Sequence, residues 1–322
     1  GDGRMNQPTW LVDDLLRVES ILLDTAGTSP HELVREPALH LIRAGGKRLR
    51  PALVLAASRA ATPGSTATDL AAAAVELIHL ATLYHDDVVD ETATRRGVAT
   101  VHAQWGTEVA VLVGDYLFAQ GCLLGAHAGG DVPGILASAL ADVCEGQIVE
   151  TAALFDARRS TNSYVDTVSK KTAALFQAAC EMGAVTAGAP PDVRDALRRY
   201  GLDLGIAFQI VDDLLDFVGD PRVTGKTPGT DLSQGVYTLP VLIACERDLK
   251  LAEDLSDGRA DLDAVLDVMR ATGALEAAQQ AAEKTASDAL ASLRVLAPGE
   301  PKTTLETIVT GVLAQTPQSL TA

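Results

Sequence analysis

Residues 69–90, Asp69-Leu70-Ala71-Ala72-Ala73-Ala74-Val75-Glu76-Leu77-Ile78-His79-Leu80-Ala81-Thr82-Leu83-Tyr84-His85-Asp86-Asp87-Val88-Val89-Asp90, decide how the rest of the chain is read. Leu70, Ala73, Ala74, Leu77, Ile78 and Ala81 recur at spacings of three and four, the period of one helix face. The helix they predict ends in three aspartates. The same ending returns 126 positions later (212 minus 86) as Asp212-Asp213-Leu214-Leu215-Asp216, again after a long apolar segment and before a loop rich in Gly, Thr and charge. That distance is too long for a solenoid repeat. It predicts two helices that present one chemistry from facing walls.

Outward from these motifs the pattern stays helical. Ala and Leu fill most segments, aromatic residues are 4% of the chain, and β-branched alternation is rare. Helices are predicted at about 107–129, 131–155, 163–187, 192–218 and 234–248, with smaller ones toward the C-terminus. Breakers separate them at Thr62-Pro63-Gly64, Gly129-Gly130, Gly188 to Pro191, Gly219-Asp220-Pro221 and Gly225 to Gly229. One all-α domain over 1–322 is the expectation, with residues 1–7 read as disordered or a vector-derived leader. No signal peptide is visible. The apolar run from Val109 to Ala126 contains Asp115 and Gln120 and reads as a buried helix rather than a membrane span.

The 322 residues carry 43 acidic and 26 basic side chains, a formal charge of -17. That balance excludes nucleic acid as a general partner. Basic residues concentrate instead at Arg43, Lys47, Arg48, Arg50 and at Arg95-Arg96, as a small anion would require. Cys122, Cys144, Cys180 and Cys245 lie far apart in apolar surroundings, so free thiols in a reducing cytoplasm are expected.

Clustered carboxylates need a reason. Asp86 and Asp90 are one turn apart on one face, with Asp87 about 100° round; Asp212, Asp216 and Asp213 repeat this. Like charges at that spacing oppose the helix, and a C-terminus is its wrong end for anions. A single such motif reads equally well as solvated surface; two copies in apolar flanks imply a cation. Carboxylates without His or Cys are hard ligands that favour Mg²⁺, which commonly completes its shell with water and substrate phosphate. Gly45-Gly46-Lys47-Arg48-Leu49-Arg50-Pro51 places Lys47, Arg50 and helix amides where a diphosphate would sit, although alone it reads as a basic turn. It lacks the spacing of a Walker A loop. His79, two turns before Asp86, reads first as structural unless the phosphate site is real.

At this point the sequence resembles the trans-isoprenyl diphosphate synthases, and among them the bacterial polyprenyl diphosphate synthases. The resemblance runs in order through Gly46 to Pro51, Ile78-His79, His85 to Asp90, Arg95-Arg96-Gly97 and Gly114-Asp115-Tyr116-Leu117. It continues through Lys171-Thr172-Ala173, Phe208 to Asp213, Gly225-Lys226 and Gly229-Thr230-Asp231-Leu232. It implies an all-helical bundle of long antiparallel helices around a central cavity, and a homodimer. It also implies that Asp86, Asp87, Asp90, Asp212, Asp213 and Asp216 hold Mg²⁺, three ions with substrate bound, on an allylic diphosphate. Gly46, Lys47, Arg50, His79 and Arg96 correspond to the isopentenyl diphosphate site; Arg95, Lys171 and Lys226 to groups on the allylic diphosphate. Thr172 and Gln209 correspond to residues at the reacting centre. Val236 stands where many relatives carry a second lysine, which puts tight binding of the shortest primer in doubt.

In that family the product grows along the helix bearing the first motif, and aromatic residues four and five before its first Asp stop it early. Here those are Thr82 and Ala81, with Leu77 a turn back, so a medium or long polyprenyl product is expected. A farnesyl or geranylgeranyl diphosphate synthase that closes deeper is the alternative. A terpene cyclase would need only one aspartate motif and no Gly46 to Pro51. A non-catalytic subunit of a heteromeric synthase would have no use for both motifs.

Overall fold

The computed structural model describes residues 7–62, 65–219 and 228–316. It is all-helical apart from one short hairpin. The first half comprises α1 Thr9–Ala26, α2 Glu32–Arg43, α3 Leu49–Ala61, α4 Thr66–Val89, β1 Thr94–Arg95, β2 Val98–Ala99, α5 Val101–Trp105 and α6 Thr107–Ala128. Then follow α7 Val132–Ala152, α8 Thr161–Val168, a π-turn at Ser169–Ala173, α9 Ala174–Thr186 and α10 Pro191–Val218. The chain continues through α11 Thr230–Ser233, α12 Leu239–Arg247, α13 Leu249–Ser256, α14 Leu262–Thr272, α15 Ala274–Ser292 and α16 Glu300–Leu313.

The described residues group into two compact units. One is built from residues within 1–140, 178–198 and 295–305; the other from those within 141–177, 199–294 and 306–322. In the first unit α4 is the centre. Ser65 and Thr68 form a capping box at its start, and it stops where Asp90 leaves helical geometry and Glu91 turns left-handed at φ 51°. Ala73, Ala74, Leu77, Ile78 and Ala81 are fully buried, as the period predicts, whereas Leu70 is partly exposed and Ala71, Ala72 and Val75, off that face, are buried as well. α6 runs antiparallel along it. A Cβ on Gly121 would stand 2.9 Å from Ile78 Cγ1, and one on Gly114 would stand 2.3 Å from His85 Nε2. The two glycines therefore admit close approach at both ends of one seam. Tyr84, also buried, donates to the Pro37 carbonyl at 2.6 Å, tying α4 to the proline inside α2.

In the second unit α10 carries the corresponding stripe. Gly201, Gly205, Gln209 and Asp213 are each four apart and lie against the helical stretch 161–177. On another face Asp203 meets Asp288 and Lys284 of α15. Burial first, then the Asp288 carboxylate, pushes its carboxyl up to about 6, against Lys284 and Arg199. The folded state therefore keeps a proton that the unfolded chain has released between about pH 4 and 6, and the stability this confers is lost as pH rises through 6. Asp203→Asn is expected to raise the melting temperature at pH 7 and to leave it unchanged at pH 4, read by thermal scans across pH. The gain is of order 1–2 kcal/mol at a partly screened position.

Two expectations change. Residues 234–238 are not helical: Gly235 has φ 79°, Thr238 is an extended N-cap, and α12 starts with Pro240 in its first turn. α6 packs chiefly on α4, with α2 and α5 also against it, but Leu112 is 59% and Leu123 53% exposed, so it is not the buried helix that Val109 to Ala126 predicted. Among the described residues three helices, Thr66–Val89, Thr107–Ala128 and Val132–Ala152, are long and apolar enough to cross a membrane by length and composition.

Candidate active site

The first unit gathers the basic turn and the first aspartate motif. Gly45 at φ 84° and Arg48 at φ 48° turn the chain into α3, with Lys47 exposed at the bend. Arg48 points inward. It pairs with Glu19 at 2.8 and 2.9 Å and with the buried Glu76 at 3.2 Å, and it donates to the Ile42 carbonyl at 3.0 Å. Its role is to hold the turn. Burial pulls the Arg50 guanidinium down to about 10, with Glu76 opposing and Arg96 adding to the shift, so it stays cationic at neutral pH. His79 lies on α4 beside these arginines. Burial, then Arg50, Arg96, Arg95 and Arg48 in that order, holds its imidazole well below the usual range. A neutral His79 offers a hydrogen bond without adding charge.

The hairpin joins this turn to the aspartates. Arg95 pairs with Val98, and Arg96-Gly97 form a two-residue loop with φ 54° and 78°, the left-handed pair a type I′ turn requires. The two arginines diverge. Arg95 Nε donates to Asp87 Oδ1 at 2.7 Å; Arg96 donates to the Leu41 carbonyl at 3.0 Å and to the Gly45 carbonyl. Gly46 makes room for the latter, since a Cβ there would stand 2.9 Å from the Arg96 guanidinium carbon.

Asp86, Asp87 and Asp90 occupy the last turn and cap of α4 as expected, in unlike settings. Asp87 is buried, Asp86 partly so and Asp90 exposed. Burial raises the Asp87 carboxyl although Arg95 opposes it, and its Oδ2 is buried without a hydrogen-bond partner.

The second unit holds the other motif. Asp212 is exposed, whereas Asp213 and Asp216 are buried. Both oxygens of Asp213 are engaged: Gln209 Nε2 donates to Oδ1 at 2.7 Å, and the Tyr164 hydroxyl donates to Oδ2. Burial, partly offset by these bonds, places its carboxyl well above the ordinary range, with Asp231 and Asp212 adding to the rise. Thr172 donates to Gln209 Oε1 at 2.8 Å, which extends the chain of bonds to the π-turn. Lys171 Nζ pairs with Glu150 on α7. The Asp231 amide donates to Asp216 Oδ2 at 3.3 Å. Lys226 lies outside the described residues.

Each motif thus offers outward and inward carboxylates. Asp86, Asp90 and Asp212 are the more accessible ones; Asp87 has an unused buried oxygen, and Asp213 is held by the protein. Among the described residues no three His, Cys, Asp or Glu side chains form a metal cage. This donor set suits a hard cation held by one or two carboxylates and completed by phosphate oxygens. Glu76, Glu150 and Tyr164 escaped the sequence reading, which named Asp231 only within the motif Gly229 to Leu232. Tyr164 stands seven before Lys171, so helical spacing could have found it; the two glutamates had no such signal.

The family model described as polyprenyl synthetase matches residues 31–271. The nonaprenyl diphosphate synthase of Mycobacterium tuberculosis is 38% identical over 288 residues, covering 87% of this chain and 86% of its own. Heptaprenyl diphosphate synthase component 2 of Geobacillus stearothermophilus is 38% identical over 273 residues, covering 83% and 85%. A crystal structure of polyprenyl synthase from Caulobacter crescentus CB15, complexed with calcium and isoprenyl diphosphate, superposes with a TM-score of 0.88 at 36% identity, covering 95% of each chain. With a family model matched over most of the chain and relatives at 36–38% identity across it, the protein belongs to the polyprenyl synthetase family.

Proposed function

We propose that the protein is a trans-polyprenyl diphosphate synthase that condenses isopentenyl diphosphate head-to-tail onto an allylic diphosphate, giving a medium or long product. The observation that carries this is the hairpin, which links Asp87 through Arg95 and the basic turn through Arg96. A diphosphate enzyme needs both metal-bearing acids and buried cations in one place, and a bland helical bundle needs neither.

Asp86, Asp90 and Asp212 are the residues to hold Mg²⁺, with Asp87 Oδ2 available as a further donor. A metal held by these residues would supply positive charge against that developing on the allylic diphosphate leaving group. Arg95 and Lys171 stabilise the same leaving group, and their present partners Asp87 and Glu150 keep them oriented beforehand. Lys47, Arg50, Arg96 and neutral His79 hold isopentenyl diphosphate so that its double bond meets the allylic carbon. Loss of a proton ends the step, and the departed diphosphate is the base. The calcium and isoprenyl diphosphate of the Caulobacter complex support a divalent ion and this ligand class.

Thr82 and Ala81 support long products, being small at the positions four and five before Asp86. Ala81 has no exposed surface, so Phe there would also overpack the core by about 1–3 kcal/mol. Thr82 is partly exposed and donates to the His79 carbonyl at 2.7 Å. Thr82→Phe is therefore the cleaner variant, expected to shorten the product while turnover persists. The assay supplies isopentenyl diphosphate with geranyl, farnesyl or geranylgeranyl diphosphate and sizes the products; a wild-type endpoint at farnesyl or geranylgeranyl diphosphate would contradict the long-chain reading.

The exposed stripe of α6, with Leu112, Ala119, Cys122, Leu123 and Ala126, supports burial against a second copy as a homodimer. The Geobacillus component 2 supports a second reading, in which a different subunit covers that face. Activity of the purified chain alone separates them. Four free thiols support action in the cytoplasm.

A further inference from the structure

The helical stretch from Thr161 to Thr186 is α-helical at both ends and widens into a π-turn at Ser169-Lys170-Lys171-Thr172-Ala173. A π-turn holds one residue more than an α-turn, so Lys171 and Thr172 leave the axis in directions that an unbroken α-helix would not give them. This widened turn sits between two glycines. A Cβ on Gly146 of α7 would stand 2.5 Å from Lys171 N and 2.9 Å from its Cα; a Cβ on Gly205 of α10 would stand 2.5 Å from Ala173 Cα. These neighbours are backbone atoms, so no change of rotamer relieves the contact.

The two approaches are built alike. Glu150, which pairs with Lys171, is four residues beyond Gly146 on α7. Gln209, which accepts from Thr172, is four residues beyond Gly205 on α10. On each helix the glycine brings the backbones together, and the residue one turn on, on the same face, takes the side chain. We propose that Gly146 and Gly205 are positioning residues that clamp the π-turn and thereby aim Lys171 and Thr172 at the allylic diphosphate. The inference rests on the allylic role given to those two residues above.

Gly201 supplies a matched comparison. It lies on the same stripe of α10, and a Cβ there would stand 2.6 Å from the Phe176 carbonyl, beyond the π-turn. Gly146→Ala and Gly205→Ala are expected to raise KM for the allylic diphosphate and to lower kcat, each by about tenfold or more, as a displaced catalytic group does. KM for isopentenyl diphosphate should stay unchanged. Gly201→Ala should lose comparable thermal stability with both KM values intact. If all three variants lose stability alike and none separates the two KM values, the glycines serve packing alone and the proposal fails.

Should the alanine variants not fold, deletion of Ser169, which removes the extra residue of the turn, is expected to give the same selective rise in allylic KM; an unchanged value would overturn the clamp. Should the wild-type protein elongate no primer, the functional reading falls on that result. The clamp is then judged by a crystal structure of Gly146→Ala, in which loss of the π-turn is expected and its persistence is contradictory.

Discussion

Replacing Asp212 by alanine is expected to lower kcat by about 10²–10³-fold and to cost much less stability than the same change at Asp213. The reasoning separates the aspartates of the second motif by their surroundings. Asp212 is exposed in the last two turns of α10, so its removal leaves no void in the core. In the proposed function its value lies in the cation it would hold. Asp213 is the contrasting case, since its carboxyl receives hydrogen bonds from Tyr164 and Gln209 inside the protein. Asp213→Ala should lose stability together with activity, because buried donors are left without an acceptor. Steady-state kinetics paired with thermal scans of the two variants check this. Equal loss of stability at both positions would refute the division of roles.

Arg96→Leu should raise KM for isopentenyl diphosphate by roughly a hundredfold, the loss of a charge-assisted bond worth about 3 kcal/mol. KM for the allylic diphosphate should move little. The Arg96 guanidinium is partly buried, rests on the Leu41 and Gly45 carbonyls, and burial pulls its pKa down despite the nearby Glu76 carboxylate. It is a cation kept in a place that disfavours cations, which makes it a strong partner for an arriving diphosphate. Gly46→Ala should shift the same KM in the same direction by a smaller factor, because its Cβ displaces that guanidinium without removing it. A change in allylic KM equal to that for isopentenyl diphosphate would show that Arg96 does not distinguish the two ligands.

The helical class and both aspartate motifs were legible because one period, three and four, runs unbroken into them. α4 ends at Val89 and α10 at Val218, so the aspartates fall at the helix ends where the pattern placed them. What the pattern could not reveal was which carboxylate turns inward. Asp86 and Asp87 are neighbours in sequence, yet Asp87 is the buried one and pairs with Arg95, because a two-residue hairpin brings the arginine back over it. The hairpin itself escaped: strands of two residues have no alternation to read, and an Arg-Gly loop lacks the usual Asn-Gly signal. The π-turn escaped for a similar reason, since one extra residue barely disturbs a helical period. Glu76 and Glu150 read as ordinary helix residues until the fold set them against Arg48 and Lys171. The exposed face of α6 shows the limit of hydropathy, which measures how apolar a helix is and not what covers it.

The measurement that bears most directly on the account is incorporation of labelled isopentenyl diphosphate into an allylic primer by the purified chain, with Mg²⁺ and after chelation. The account predicts Mg²⁺-dependent elongation beyond geranylgeranyl diphosphate, abolished by chelator and restored by added Mg²⁺. Absence of elongation with every primer, or elongation indifferent to the metal, would contradict it.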